Sequence, residues 1–318
     1  MIFLLNKDLP WSHEAHRPLQ GIKEQMKLRF KTFLPLLIGS GIALIVYFSV
    51  GWWGFLFLGF WVGGWITVGN LLASQREGLG RDLGRRISIL IIGLTLMVFL
   101  GVIEHENLQL EENIFYLAYF LAGGAFTRVL IHYSVAKVFG PLLFRRGFCG
   151  WACWTAGILE WLPIKGNRPI PKKWTYLRWP VLILSLLTPL ALLYAGYDYM
   201  TLHIDKTFGK WGQFHWFLVS NVLYFAGAVI LAYIFQKRRA FCKILCPVSL
   251  IMKVPSSIGL IRIRPSGQTC TECGACNKVC PMDVDVMSYI RSGNKVNSTE
   301  CILCQRCKNV CPVGAIFQ

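Results

Sequence analysis

Cys270-x2-Cys273-x2-Cys276-x3-Cys280-Pro281 and Cys301-x2-Cys304-x2-Cys307-x3-Cys311-Pro312 stand near the end of this chain. Three thiolates at this spacing hold one face of an iron–sulfur cubane, and the fourth reaches across to a neighbouring cubane. The crossed rule predicts one 4Fe–4S cluster on Cys270, Cys273, Cys276 and Cys311, and a second on Cys301, Cys304, Cys307 and Cys280. Each run ends in proline, which fixes φ and has no N–H to satisfy, and so suits a chain that turns sharply away from a cluster. Structural zinc sites use two separated cysteine pairs, which disfavours zinc for four cysteines in one tight run. The chemistry announced here is electron transfer.

The remainder of the chain is a poor candidate for a water-soluble domain. Of 318 residues, 54% are hydrophobic and only 15% charged, and the mean hydropathy is +0.48. A bilayer core takes about 20 apolar residues per helix. Six segments qualify: 33–50, 54–73, 87–103, 113–139, 180–197 and 214–235. The net charge of +17 raises the question of nucleic acid, and its distribution answers it. Segment 1–32 carries six Lys/Arg, loop 74–86 four and loop 144–178 seven; loops 51–53 and 104–112 carry none, and 198–213 has Lys206 and Lys210. Alternation of this kind is the positive-inside rule, which predicts a multi-pass protein of a bacterial-type inner membrane with both termini cytoplasmic. The basic surplus is topological, with attraction to anionic lipid, and no nucleic-acid partner is expected. Met1–Leu5 is too short for a signal peptide. All twelve cysteines then face the reducing side, where thiols stay free for metal.

The other four cysteines repeat a motif. Arg145-Arg146-Gly147-Phe148-Cys149-x3-Cys153 follows the fourth segment, and Arg238-Arg239-Ala240-Phe241-Cys242-x3-Cys246 follows the sixth. Both belong to the same membrane surface, so Cys149, Cys153, Cys242 and Cys246 are expected to converge on one site. A third iron–sulfur cluster, a soft metal such as Cu(I), or a redox-active dithiol would each suit four thiols. The paired arginines either lower the thiol pKa values or act as ordinary positive-inside anchors.

The two Cys-x3-Cys motifs, the Gly259-Leu-Ile-Arg-Ile-Arg-Pro265 lead-in and the two cysteine quartets resemble the membrane polyferredoxins of the NapH/NosR type over roughly residues 113–318. That family includes the quinol dehydrogenase membrane subunit of periplasmic nitrate reduction, the membrane half of a nitrous-oxide reduction factor, and an oxidase assembly protein linked to copper. In that family both short motifs usually end in Cys-Pro. Cys246-Pro247 conforms here, whereas Cys153 is followed by Trp154. The resemblance implies an electron-transfer subunit of a quinol/quinone oxidoreductase with a redox partner protein.

Arg128 and His132 lie four residues apart on one face of the fourth segment. An ionisable pair inside hydrocarbon is costly and faces the bundle by default, which makes these two residues the candidate quinone site. Glu104, His105, Glu106, His203 and His215 read as solvated outer-loop residues, as do His13 and His16 in the N-terminal segment. Trp52, Trp53, Trp174, Trp179 and Trp211 read as interface anchors.

The expected architecture is a cytoplasmic segment over 1–32, a six-helix membrane all-α bundle over 33–235 with the 149–153 cysteine loop, a link over 236–254, and an α+β ferredoxin domain over 255–318. The expected function is electron exchange between the quinone pool and a redox partner through two 4Fe–4S clusters and the four-cysteine centre. A copper reductase or metallo-oxidase assembly factor, and a redox-sensing scaffold subunit, are the alternatives.

Overall fold

A computed structural model describes residues 18–106, 108–197, 199 and 209–318, with side chains from Thr32 onward except over 209–213. The expectations for His13, His16, His203, Lys206 and the side chain of Trp211 lie outside the described residues. The chain forms two units, 1–67 and 68–318.

In the first unit, α1 (Pro18–Val50) and most of α2 (Gly54–Ser74) meet through Gly39, Ala43, Gly59 and Gly63. Small residues at such a crossing let two helix backbones approach closely.

The second unit carries the candidate site. A 3-10 turn (Gly78–Arg81) leads into α3 (Asp82–Leu96), which continues as a π-helical stretch over Met97–Ile103. Asp82 opens α3, where an acid complements the helix dipole. After α4 (Leu110–Leu121) and α5 (Arg128–Ser134), a π-helical Val135–Phe139 runs into α6 (Gly140–Phe144). Two short helices, α7 (Gly147–Trp151) and α8 (Trp154–Leu159), pack along α3. Next come α9 (Lys172–Thr175), α10 (Arg178–Tyr194) and α11 (Gly209–Ile234). Helix α10 turns Ile183, Leu184, Leu187 and Leu190 outward while burying Arg178 and Ser185. Apolar outside and polar inside is the pattern of a helix whose solvent is lipid.

Among the described residues, five helices are long and apolar enough to cross a membrane: Thr32–Val50, Gly54–Ser74, Gly78–Ile103, Lys172–Tyr194 and Phe214–Ile234. Six were expected, and the difference lies in segment 113–139. It is not one helix: α4 ends at Leu121, Gly123 takes a left-handed φ of +91°, and α5 starts at Arg128. Arg128 pairs with Glu104 at 3.3 Å and with Glu106 at 3.2 Å. Phe115 and Tyr116 also share one core with Val129 and Leu130, whereas an unbroken helix would hold positions 115 and 129 about 21 Å apart, so the chain folds back between the two pieces. Consecutive glycines permit the reversal, because Gly123 lacks the Cβ that makes positive φ costly.

Beyond α11 the chain is a series of short elements: α12 (Ala240–Ile244), α13 (Val248–Ile251), α14 (Lys253–Ser257), α15 (Ala275–Lys278), α16 (Val286–Arg291) and α17 (Arg306–Asn309). The β contribution expected of an α+β tail amounts, among the described residues, to one antiparallel pair. In it Arg264 of β1 (Arg264–Pro265) faces Phe317 of β2 (Ile316–Phe317).

Candidate metal centres

The two quartets of the tail share one backbone plan. Glu272 and Leu303, each two residues after the first cysteine, take φ of 54°. Gly274 (φ 69°) and Gln305 (φ 63°) then cap the helical turns that carry Cys276 and Cys307. Left-handed backbone at non-glycine residues is uncommon and marks loops held by their surroundings. The fourth cysteines match as well: the Val284 N–H donates to Cys280 Sγ at 3.3 Å, and the Ala315 N–H donates to Cys311 Sγ at 3.2 Å.

These loops gather the thiols into two groups. A cavity is lined by Cys270, Cys273, Cys276 and Cys311, with Met287 and Ile290 behind them. Cys280 lies within electrostatic reach of Cys301, Cys304 and Cys307. Burial pushes the Cys304 thiol up to about 12 against the pull of Arg85, and raises Cys276, Cys280, Cys301 and Cys307 too. Such thiols keep their protons until a metal displaces them. Among the described residues, no three His, Cys, Asp or Glu side chains are drawn together tightly enough to share a single ion. In a cubane each thiolate binds its own iron, so a wider spread of sulfur donors fits a cluster.

The Cys-x3-Cys motifs are structural copies of each other. In the first, the N–H groups of Ala152 and Cys153 both donate to Phe148 O, at 2.9 and 3.0 Å; in the second, those of Leu245 and Cys246 both donate to Phe241 O at 3.0 Å. Trp154 in place of proline therefore leaves the first motif's backbone unchanged. Cys149, Cys153 and Cys242 all act electrostatically on Cys246, so the four thiols converge. Burial raises Cys153, pushes Cys242 up to about 11 and lifts Cys246 further. Cys242 and Cys149 also pack into the same core as the tail cysteines. Lys137, buried on the continuation of α5, lies in the field of Cys149, Cys153 and Cys246; its place inside an apolar segment was the signal that sequence reading passed over.

Of the paired arginines, Arg145, Arg146 and Arg239 are not exposed anchors but are fully buried. Arg145 donates to Asn297 O at 2.8 Å and Ser298 O at 2.9 Å. Arg146 meets Glu300 at 2.6 Å, which also takes Arg178 at 2.9 Å and Lys253 at 2.7 Å. Arg239 pairs with Glu160 at 2.7 Å and donates to Cys149 O at 2.7 Å. Asp283 receives Lys237 at 2.5 Å and Lys243 at 2.6 Å. Burial would raise Glu160 and Glu300, yet Arg85 and Arg239 for the first, and Arg146 and Arg178 for the second, hold both well below the usual carboxylate range. Glu160, Asp283 and Glu300 were missed at the sequence level. The available signal was clearest for Glu160, the one acid in segment 144–178 with its seven Lys/Arg.

Arg128 and His132 come together, but with acidic company. His132 Nδ1 stands 2.7 Å from Glu106, and Glu106 is 3% exposed. Glu112, at 1% exposure, accepts a hydrogen bond from Tyr199. The segment read as a solvated acidic loop is thus folded into a buried polar cluster, closed by the chain reversal after α4.

Comparison with known proteins agrees with this chemistry. A 4Fe–4S dicluster domain matches residues 269–316, and a 4Fe–4S binding domain matches 134–173 and 220–264, the regions of the two short motifs. YccM of Escherichia coli, described provisionally as an electron transport protein, is 28% identical over 57% of this chain and 53% of its own length. The ferredoxin-type protein NapH of Haemophilus influenzae is 28% identical over 57% of this chain and 65% of its own. NirI of Paracoccus denitrificans is 26% identical over 76% of this chain but 38% of its own. The chain thus spans about half the length of the first of these relatives. No solved structure matches it. Iron–sulfur domain matches over both cysteine regions, together with these relatives, make the chain similar to the NapH-type membrane polyferredoxins and support iron–sulfur binding at both regions.

Proposed function

We propose that this chain exchanges electrons between a quinone in the membrane and a redox partner on the cytoplasmic side of an inner membrane. The route runs through the Cys149/Cys153/Cys242/Cys246 centre and two 4Fe–4S clusters. One observation supports the reading most: all twelve cysteines form a connected series. Cys246 and Cys153 adjoin Cys149 and Cys242, which share a core with Cys280, Cys304 and Cys307, and the series reaches the exposed Cys273. Bound clusters supply one-electron carriers whose potentials respond to burial and to N–H···S bonds. The chain's own part is to hold the sulfurs, exclude water from Cys242 and Cys304, and offer Cys273 at the surface for the partner.

The 4Fe–4S domain match over residues 134–173 and 220–264 favours a third cluster over copper at the short motifs. Iron counting with EPR on anaerobically purified protein tests this. About twelve iron atoms per chain, falling to about eight in Cys149→Ala, is the expected result; about eight in both removes the third cluster.

Arg128 pairs with Glu104 and Glu106 while its side chain stays 41% exposed, and the exposed part of the guanidinium is the donor offered to a quinone carbonyl. His132, set by Glu106, accepts one of the protons released as quinol is oxidised. Arg128→Ala and His132→Ala should each slow quinol-driven bleaching of cluster absorbance by about tenfold or more, the range of a lost acid–base group being roughly 100-fold to 10,000-fold. Bleaching at the wild-type rate in both variants would remove these residues from the mechanism.

A further inference from the structure

Glu111 stands in the first turn of α4. Its Oε1 accepts hydrogen bonds from Ser185 of α10 at 2.6 Å and Tyr224 of α11 at 3.1 Å. Its Oε2 is buried and takes no hydrogen bond among the described residues. Tyr133 faces it from α5, 8% exposed, with a buried hydroxyl that likewise makes no hydrogen bond among the described residues. Bare polar atoms in a dry interior cost free energy until a proton or ligand satisfies them. Tyr133 and Tyr224 each lie within electrostatic reach of Glu111 on one side and Cys246 on the other. Tyr224, which donates to Glu111 and packs against the same apolar core as Cys246, therefore links this carboxylate to the four-thiol centre.

The other charged groups around Glu111 are otherwise engaged. Glu112 on α4 holds Tyr199. Glu106, Arg128 and His132 pair among themselves. Lys137, further along the chain from α5, is turned to Cys149, Cys153 and Cys246. Glu111 has no ion-pair partner among the described residues.

We propose that Glu111 takes up one proton for each electron that reaches the Cys149/Cys153/Cys242/Cys246 centre, coupling electron transfer to proton uptake inside the bundle. The inference rests on the reading that these four thiols hold a redox centre. An added electron brings one negative charge to the thiol side, and in a low-dielectric interior a proton on a nearby carboxylate offsets it. The Glu111 carboxylate forms an O–H bond with a proton drawn from water and becomes neutral; on reoxidation the bond breaks and the proton leaves with the electron. The electron comes from quinol in the proposed function, and from dithionite in the test.

The test is an EPR-monitored potentiometric titration of the full-length protein across a range of pH, with dithionite as reductant. The signal to follow is the one that Cys149→Ala abolishes. Its midpoint potential is expected to fall by about 59 mV for each tenfold drop in proton concentration, to become independent of pH in Glu111→Gln, and to recover its slope in Glu111→Asp. Unchanged signals from the two tail clusters report that the variants fold. Redox-difference infrared spectroscopy needs no variant: a carboxylic-acid carbonyl band should grow in the wild-type protein on reduction. A pH-independent potential in the wild type, no such band, or a slope that survives Glu111→Gln overturns the proposal. Absence of any Cys149-dependent signal overturns instead the reading of the four thiols on which it rests.

Discussion

Glu160 is 1% exposed between Arg85 at 3.1 Å and Arg239 at 2.7 Å, and Arg239 in turn holds the carbonyl of Cys149. Removing one partner of a buried ion pair leaves the other charge uncompensated, at a cost of about 3–5 kcal/mol. Glu160→Gln should lower the stability of the folded protein by about that amount in denaturant titrations. Glu272→Gln, which breaks the exposed pair with Arg291, should change it by less than about 1 kcal/mol. Glu160 also sets a pH response. Burial opposes its ionisation, but Arg85 and Arg239 prevail and depress the folded-state value. Its contribution is therefore complete above the unfolded value near about pH 4.3 and is lost as pH falls further toward the folded value. Thermal unfolding followed by tryptophan fluorescence should show wild-type stability dropping below about pH 4, with that part of the drop missing in Glu160→Gln.

At the scale of elements, α7 is the contact between the first short motif and the tail. A Cβ on Gly150 would stand 2.2 Å from Ile302 O, and Trp151 Nε1 donates to Leu303 O at 3.0 Å. Glycine is required here for close approach, since the facing atom is backbone and cannot rotate away. Gly150→Ala should cost roughly 1–3 kcal/mol by overpacking and perturb the EPR signal of the cluster assigned to Cys301, Cys304 and Cys307. Gly64→Ala, where nothing lies within 4 Å of an added Cβ, should leave that signal unchanged. The break between α4 and α5 belongs to this scale as well. By bringing Arg128 back to Glu104 and Glu106, it turns a stretch that looks like a spanning helix into one wall of a polar cluster.

Across the unit from Val68 onward, two acids fasten the tail: Glu300, with Arg146, Arg178 and Lys253, and Asp283, with Lys237 and Lys243. Their basic partners come from four segments of the chain, so loss of both acids should free the tail as a body. In Asp283→Asn/Glu300→Gln, limited proteolysis over residues 253–262 should accelerate by at least about tenfold, in proportion to the lost buried pairs; an unchanged rate would mean that apolar packing alone secures the tail. The iron–sulfur character of the chain and most of its apolar helices were legible by sequence reading. The cysteines of each quartet sit three or four residues apart and the long apolar helices are continuous apolar runs, and both are local patterns. The arginine pairs were legible only as positive charge. Whether they face lipid headgroups or a buried acid depends on Glu160 and Glu300, which join them across 79 and 154 positions of chain. By itself, then, the order of residues determined the cysteine chemistry, the lipid-facing composition and the duplicated motif. Only the tertiary structure decided that segment 113–139 reverses, that Glu106, Glu111 and Glu112 turn inward, and that the arginines fasten the tail. The reason is physical: periodicity and spacing act within a few turns of helix, whereas the pairing of buried charges is settled by which distant segments the folded chain brings together.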